Sequence, residues 1–390
     1  MKVVQINAVS GIGSTGVIAK SISLMLNKRG VENYIFYADG KDSYKNSVKI
    51  SSKADMKAHS LLSRITGKQA YFSALKTKEL LHRLDGIKPD VVHLHNLHNN
   101  YINLNMLLDY LSTNGIKTVL TLHDCWFFTG KCTHYSNIGC GRWQTGCGSC
   151  PLLKADNPSW IFDRTSKIWL DKKRRFEKID KLEVVGVSEW IANEARKSFL
   201  NCGNVSFIHN GIDTEMFNTS GGDMRSELGI KNKFVIMGIA NKWQSAVNDG
   251  LLDYISENLD KDYVLLLVGG DIKKGNVISI PYQSSPKELA RVYRTADVFV
   301  NVTHEDSLPT VNLEAMSCGT PVITYDVCGS TETVAEKTGI VVCEGSKEEL
   351  LGAILQIKAK GKSFYSDSCR KHILNNYEMG TQFEKYFDVY

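Results

Sequence analysis

Short β-rich runs and helical patterns alternate along the whole of this 390-residue chain, and the alternation restarts near its middle. In the first half, residues 3–9, 34–38, 91–95, 118–122 and 182–187 read as strands bounded by turn residues, with helical patterns over 17–28, 76–84 and 105–111. In the second half the strands are 234–239, 263–268, 277–280, 298–302, 321–325 and 339–342, with helices over 251–258, 286–295, 310–317 and 347–358. Strands separated by helices run parallel, with both faces of the sheet covered. The expected fold class is therefore α/β, with two Rossmann-like domains. The boundary falls near residues 190–215, giving domains 1–190 and 191–375, with the aromatic-rich segment 376–390 crossing back to the first. Parallel sheets bind ligands outside the carboxyl ends of their strands, which puts the expected site in a cleft between the halves.

Charge is spread unevenly. Residues 1–200 hold 29 Lys+Arg against 17 Asp+Glu, a net of +12, and the remainder holds 18 against 25, a net of −7. A basic first half suits an anionic lipid surface, a phosphate-bearing acceptor or nucleic acid, or else holds scattered solvated lysines on helix faces, and the run Lys172, Lys173, Arg174, Arg175 is its sharpest local feature. No window is apolar enough for a membrane span. The first residues, MKVVQINAVSG, read as a buried strand and not as an export signal. Ten cysteines without such a signal point to a reducing, cytoplasmic setting. Six of them (125, 202, 318, 328, 343 and 369) are scattered as small core residues would be.

Several local patterns carry chemistry. Gly11, Gly13 and Gly16 form G-x-G-x-x-G between a strand and a helix, where backbone can approach a phosphate. Asp39, 23 residues past Gly16, stands where an acid can meet a ribose. His123 ends a strand and can bond a sugar hydroxyl or a phosphate. His93, His95 and His98 lack a carboxylate at ligand spacing, which argues against a metal there. In the segment 301–323, Asp306 or Ser307 can cap a helix with Pro309 in its first turn. The amides of residues 308–311 then make an anion site, and Glu314 on the helix can accept both hydroxyls of a ribose. Finally, Cys132, Cys140, Cys147 and Cys150 cluster in a glycine-rich loop. They can hold a tetrahedral structural zinc, with His134 as a substitute ligand, or remain thiols or disulfides. The loop has too few basic and aromatic residues for a nucleic-acid module.

The 301–323 segment resembles the donor-binding signature of family 4 retaining glycosyltransferases, an acid followed by seven residues and Glu-Ala-Met, ending Cys-Gly-Thr-Pro-Val. The stretches 187–191, 209–217, 289–300 and 329–334 agree, and the likeness covers nearly the whole chain. It is nearest to enzymes that build bacterial capsule, O-antigen or colanic-acid-type polysaccharides. The resemblance implies the GT-B fold, a UDP- or GDP-sugar donor, a lipid-linked glycan acceptor at the inner face of the cytoplasmic membrane, no nucleic acid and no catalytic metal. It implies that His123 approaches the transferred sugar and that Asp306 holds its hydroxyls. Gly11 and Gly13 would face the diphosphate, and Ser307, Leu308, Pro309 and Thr310 the sugar or phosphate. Glu314 would bind the ribose, Tyr282 would flank the base, and Asn241 and Lys242 would meet the donor, Lys242 as its cation. No protein nucleophile is needed: the leaving diphosphate helps deprotonate the acceptor on the same face. One departure stands out. The family's second basic residue is missing, since Asn248 and Asp249 precede Gly250. A sugar-nucleotide-binding protein without turnover is therefore an alternative, and a nicotinamide-dependent oxidoreductase shares the glycine turn and Asp39.

Overall fold

The computed structural model describes residues 1–40, 44–259, 261–272 and 274–390, the side chains of 245–248 excepted. Its contacts divide the chain into two compact units: Met1–Asn210 with Phe383–Tyr390, and Gly211–Gln382.

The first unit runs β1 (Lys2–Val9), α1 (Gly13–Lys28), β2 (Glu32–Asp39), β3 (Ser47–Lys49), α2 (Lys53–Thr66), α3 (Ala74–Ile87), β4 (Val91–Leu94), α4 (Leu104–Thr113), β5 (Lys117–Leu122), α5 (Thr165–Phe176), β6 (Leu182–Gly186), α6 (Glu189–Arg196) and β7 (Asn204–Phe207). The sheet order is β3-β2-β1-β4-β5-β6-β7, and every pairing is parallel. The chain therefore reverses its direction of winding between β1 and β4. The glycine run is shorter as a turn than its spacing suggests. The helix begins at Gly13, four residues before the first apolar one, because Gly11 and Gly13 take left-handed φ values of 68° and 62°. Gly16 then lies against Val9, where a Cβ would meet that side chain at 3.1 Å.

The second unit runs β8 (Phe234–Ile239), α7 (Ala240–Asn248), α8 (Leu251–Asn258), β9 (Tyr263–Val268), β10 (Val277–Ile280), α9 (Pro286–Thr295), β11 (Val298–Asn301), α10 (Thr310–Ser317), β12 (Val322–Tyr325), β13 (Gly339–Val342), α11 (Lys347–Lys360) and α12 (Lys362–Asn376). Its sheet is also fully parallel, in the order β10-β9-β8-β11-β12-β13, so the winding reverses between β8 and β11. β9 is the unbroken apolar run YVLLLV, and all six side chains are buried, as a strand covered on both faces requires. Two short helices close the chain, α13 (Met379–Glu384) and α14 (Tyr386–Val389).

Two expectations fail here. Lys172 is not part of a solvated basic run. It is 1% exposed, and its ammonium donates to the carbonyls of Trp126 at 2.5 Å and Thr129 at 3.1 Å, with the Trp126 ring centre 3.6 Å away. Burial pulls its pKa down to about 7. Arg175 pairs with Asp109 and Asp171, and Lys173 with Glu177, so the run is divided between core, ion pairs and the exposed Arg174. Of the scattered cysteines, 125, 318 and 369 are buried, but Cys202 and Cys343 are exposed and Cys328 is intermediate.

Candidate active site

In the second unit, residues of two neighbouring strands flank the point where the winding reverses. β8 runs directly into α7, whose first turn exposes Asn241 and Lys242. Lys242 makes no ion pair among the described residues. Trp243 beside it is fully buried, and its indole donates to the Val300 carbonyl at 3.1 Å, which ties the start of α7 to β11. β11 leads into the loop 302–309 and then α10. Asp306 and Ser307 do not cap α10, contrary to expectation. Pro309 holds the N-cap position in extended backbone, and Asp306 Oδ1 instead accepts the Leu308 amide at 3.1 Å. The loop is fastened from below. Asn301 Nδ2 donates to Asn312 Oδ1 at 2.9 Å, Asn312 Nδ2 donates to Thr333 Oγ1 at 2.9 Å, and Gly329 N donates to the Asp306 carbonyl at 3.1 Å.

Two groups here are unusual for a finished protein interior. Ser307 is 2% exposed, and its hydroxyl has no hydrogen-bond partner among the described residues. Glu314, on α10, is half-buried and its carboxylate meets no cation there. Its one partner among the described residues is the hydroxyl of Tyr293 in α9, which donates to Oε2 at 2.9 Å. Burial raises the Glu314 pKa to about 7, the Tyr293 bond opposing it. In the first turn of α10 Asn312 N donates to the Pro309 carbonyl at 3.1 Å, while the Thr310 and Val311 amides have no acceptor among the described residues, and the turn holds no acidic residue. An oxyanion with neighbouring hydroxyl donors would satisfy the amides and the carboxylate together. Tyr282 lies just past β10, two strands from β8, and is 78% exposed.

In the first unit, the loop after β1 brings Gly11 and Gly13 to the other point of reversal. Gly13 is exposed in the first turn of α1, which has no acidic residue. Asp39, at the end of β2, accepts the Gly40 amide at 2.8 Å and pairs with Lys49 at 3.6 Å. Past β4 and β5, a histidine network forms that the sequence did not disclose. Gln5 Nε2 donates to the Ala19 carbonyl at 2.9 Å and to Ser23 Oγ at 2.7 Å, so its Oε1 faces His95 Nε2, 2.9 Å away. His95 Nδ1 lies 3.0 Å from His123 Nε2. Burial drives His95 well below its usual range, with His93 and His123 adding to the effect, and drives His123 to about 4 against Asp124. Both rings are therefore neutral at pH 7.

Hydrogen-bond polarity then follows from the amide. Gln5 Oε1 only accepts, so His95 Nε2 carries the proton and His95 Nδ1 is a lone pair. His123 Nε2 must donate to it, and His123 Nδ1 is left as a bare acceptor with no partner among the described residues. Beside this network, His98 Nε2 bonds Asp124 Oδ2 at 2.9 Å. His93 bonds Tyr390 OH at 2.8 Å and Thr121 Oγ1 at 2.7 Å, which fastens the chain terminus to β4 and β5.

The four clustered cysteines line one small cavity together with Tyr135 and Trp143. The Cys132 and Cys150 thiols hydrogen-bond each other, and Cys147 Sγ accepts the Gly130 amide at 3.2 Å. All four are free thiols, so the disulfide alternative is not realised. Among the described residues no three His, Cys, Asp or Glu side chains are drawn close enough to hold a metal ion, the 93/95/98 histidines included.

Comparison with known proteins bears on the family and the fold. The description Glycosyltransferase Family 4 matches residues 15–216, and Glycosyl transferases group 1 matches residues 226–377. The chain is similar to the putative colanic acid biosynthesis glycosyl transferase WcaC of Escherichia coli (strain K12), with 25% identity over 371 residues, 90% of this chain and 89% of that one. It is similar to the UDP-Gal:alpha-D-GlcNAc-diphosphoundecaprenol alpha-1,3-galactosyltransferase of Escherichia coli, with 26% identity over 208 residues, 48% of this chain and 54% of that one. Among solved structures it is similar to Anabaena Alr3699/HepE in complex with UDP-glucose, at a TM-score of 0.64 and 14% identity, with all of both chains covered.

Proposed function

The chain belongs to glycosyltransferase family 4, and we propose that it moves a hexosyl group, with retention at the anomeric carbon, from a UDP- or GDP-sugar to a lipid-linked glycan in bacterial surface-polysaccharide synthesis. It is a glycosyltransferase with two Rossmann-like units of the GT-B class, which sets aside the oxidoreductase alternative. The observation that carries the donor assignment is Glu314: a carboxylate held partly out of water, beside the Thr310 and Val311 amides, with no cation for the one and no acceptor for the others among the described residues. In this reading it accepts the two ribose hydroxyls, while the Ser307 hydroxyl and the Thr310 and Val311 amides bond the diphosphate or sugar. Asp306 holds sugar hydroxyls, and Tyr282 and Asn241 border the base and diphosphate. In the first unit, Gly11 and Gly13 offer backbone for close approach of a phosphate.

Chemistry follows from charge. As the glycosidic bond breaks, negative charge grows on the diphosphate. Lys242 and the α10 dipole oppose it there, in a place already organised for the purpose. The diphosphate takes the acceptor's proton on the face it leaves, so no protein nucleophile is required. His123, neutral and presenting a bare Nδ1, accepts a hydrogen bond from a sugar hydroxyl and is not a partner for phosphate. The missing second basic residue places a greater share of charge stabilisation on Lys242. Incubation with UDP- and GDP-hexoses and a polyprenyl-diphosphate-linked saccharide tests the proposal, with proton NMR of the product. Transfer with the donor's anomeric configuration kept is expected; inversion, or no product from any nucleotide sugar, would overturn it.

The membrane's inner leaflet, where a lipid-linked acceptor resides, is the proposed partner surface. No helix among the described residues is long and apolar enough to cross a membrane. The cysteine loop takes a structural zinc through Cys132, Cys140, Cys147 and Cys150. Support comes from four reduced thiols lining one cavity in a segment with only two three-residue 3₁₀ turns, Ser136–Ile138 and Arg142–Gln144. Closing the thiols around the ion would order that loop without touching either sheet. Elemental analysis of protein purified without a metal-affinity step is expected to give about one zinc per chain. A folded, active and metal-free preparation would remove zinc from the account.

A further inference from the structure

Helix α2 is amphipathic the wrong way round for a helix packed on a core. Its buried residues are His59 and Ser63, while Leu61, Leu62 and Ile65 stand 50%, 42% and 36% exposed. A loop adds to the same patch: Trp160, Ile161 and Phe162 are 50%, 61% and 46% exposed. The two segments are joined by backbone. Trp160 N donates to the Arg64 carbonyl at 2.7 Å, and within the loop Ser159 Oγ donates to the Phe162 carbonyl at 2.7 Å. Gly67 ends α2 with a φ of +70°, and a Cβ there would strike the Phe162 carbonyl, so glycine is needed for this approach.

The charges around these side chains that lack an ion pair or a side-chain hydrogen bond among the described residues are all positive. Arg64 lies over the Trp160 ring at 5.8 Å, and Arg164 over the Phe162 ring at 5.4 Å. Lys57 stands one helical turn before Leu61, and Lys68 follows the helix end. None of these four makes an ion pair among the described residues. The nearby acid, Asp163, is spent on the Cys150 amide and on Thr165. Six large apolar side chains in water, with arginines stacked on the aromatic ones, are what an interfacial element presents to a bilayer: apolar rings for the acyl boundary and cations for the headgroups.

We propose that the α2–Trp160 face is the surface by which this protein seats on an anionic bilayer, with Trp160, Ile161 and Phe162 entering the headgroup region. It rests on the lipid-linked acceptor reading only for its purpose; the chemistry of the surface stands without it. The seating replaces the Lys172–Arg175 run, of which the fold buries Lys172 and pairs Lys173 and Arg175 with acids. It also differs in kind, because apolar insertion keeps part of the binding at high salt, where purely electrostatic attachment is lost.

Co-sedimentation of the full chain with vesicles tests this, using phosphatidylcholine alone and phosphatidylcholine with an equal part of phosphatidylglycerol. Binding to the anionic vesicles is expected, with a blue shift of tryptophan emission and only partial release by salt. The triple variant Trp160→Ser, Ile161→Ser, Phe162→Ser should bind about 100-fold more weakly. It should keep its thermal unfolding midpoint and its turnover of a water-soluble acceptor, so loss of seating is distinguishable from loss of the transferase. Arg64→Ala and Arg164→Ala should each weaken binding about fivefold. Lys173→Glu with Arg174→Glu should change nothing. Three results would overturn the proposal: no vesicle binding by the wild type, binding that survives the triple variant but not the α5 reversals, or a wild-type dimer that the triple variant dissociates.

Discussion

Glu314→Gln is expected to make the protein more stable and less able to bind its donor. The folded carboxyl has a pKa of about 7, against 4.5 for the free side chain. Between those values the native state keeps a proton that the unfolded chain has released. Native stability therefore falls as pH rises from about 4.5 to about 7, and stays at the lower level above that. An amide of the same shape still accepts from Tyr293 and carries no charge to desolvate. At pH 8 the gain should be on the order of 2–3 kcal/mol, after allowing for the half-buried setting, and it should vanish near pH 4. Donor binding moves the other way. The ribose hydroxyls need the carboxylate, so wild-type affinity should climb with pH through about 7 and then level off. The variant should bind roughly 10- to 150-fold more weakly, without that pH dependence, for the loss of a charge-assisted hydrogen bond worth about 1.5–3 kcal/mol. Thermal unfolding and donor titration at three pH values check both halves. A variant that is destabilised at pH 8 would mean the carboxylate is structural.

Replacing His95 separates hydrogen-bond polarity from packing. His95→Gln can donate its amide to Gln5 and accept from His123, so His123 keeps its Nε2–H tautomer and turnover should fall only a few-fold. His95→Leu cannot accept. It leaves His123 Nε2–H unpaired and frees the ring to place its proton on Nδ1, facing the hydroxyl it should accept from. A drop in kcat of about 10- to 100-fold is expected, with KM for the donor little changed. Long-range proton–nitrogen NMR reads the tautomer directly: the His123 Nδ1 should be the unprotonated nitrogen in the wild type and in His95→Gln. Burial keeps both rings neutral at pH 7, with His93 and His98 adding to it and Asp124 opposing it, so the kcat profile of the wild type should show no His123 titration above pH 6. A protonated Nδ1 in the wild type, or equal losses from both substitutions, would contradict the assigned polarity.

Much of this was legible because burial writes itself into sequence. The strands at 234–239, 263–268, 277–280 and 339–342 and the helices at 251–258, 286–295 and 310–317 are found at those bounds. Most are apolar or strongly periodic runs with Gly, Pro, Ser or Asp at one end or the other. The short edge strands β3 and β7 were missed, since three or four half-exposed residues carry no such pattern. Helix α2 was missed for the opposite reason: its apolar residues face solvent, so they do not mark a core-facing stripe. Lys172 misled because a run of like charges says nothing about which member points inward; Trp126 and Thr129, more than forty residues earlier, decide that. The acid-x7-Glu helix was visible, but the cap was misassigned, since Asp306 spends its carboxylate on Leu308. The His95–His123 contact spans 28 residues, and its only trace in sequence is a histidine just past each of two strands that turn out to be neighbours.

The central claim is that a nucleotide sugar binds where α10 begins, with its ribose on Glu314. Calorimetric titration of the full chain with UDP- and GDP-hexoses measures this directly, with Glu314→Ala and Lys242→Ala run in parallel. The account predicts saturable binding of one nucleotide class, weakened at least tenfold by Glu314→Ala and also weakened by Lys242→Ala, with both variants still folded. Wild-type binding that neither substitution disturbs, or no binding of any nucleotide sugar, would contradict it.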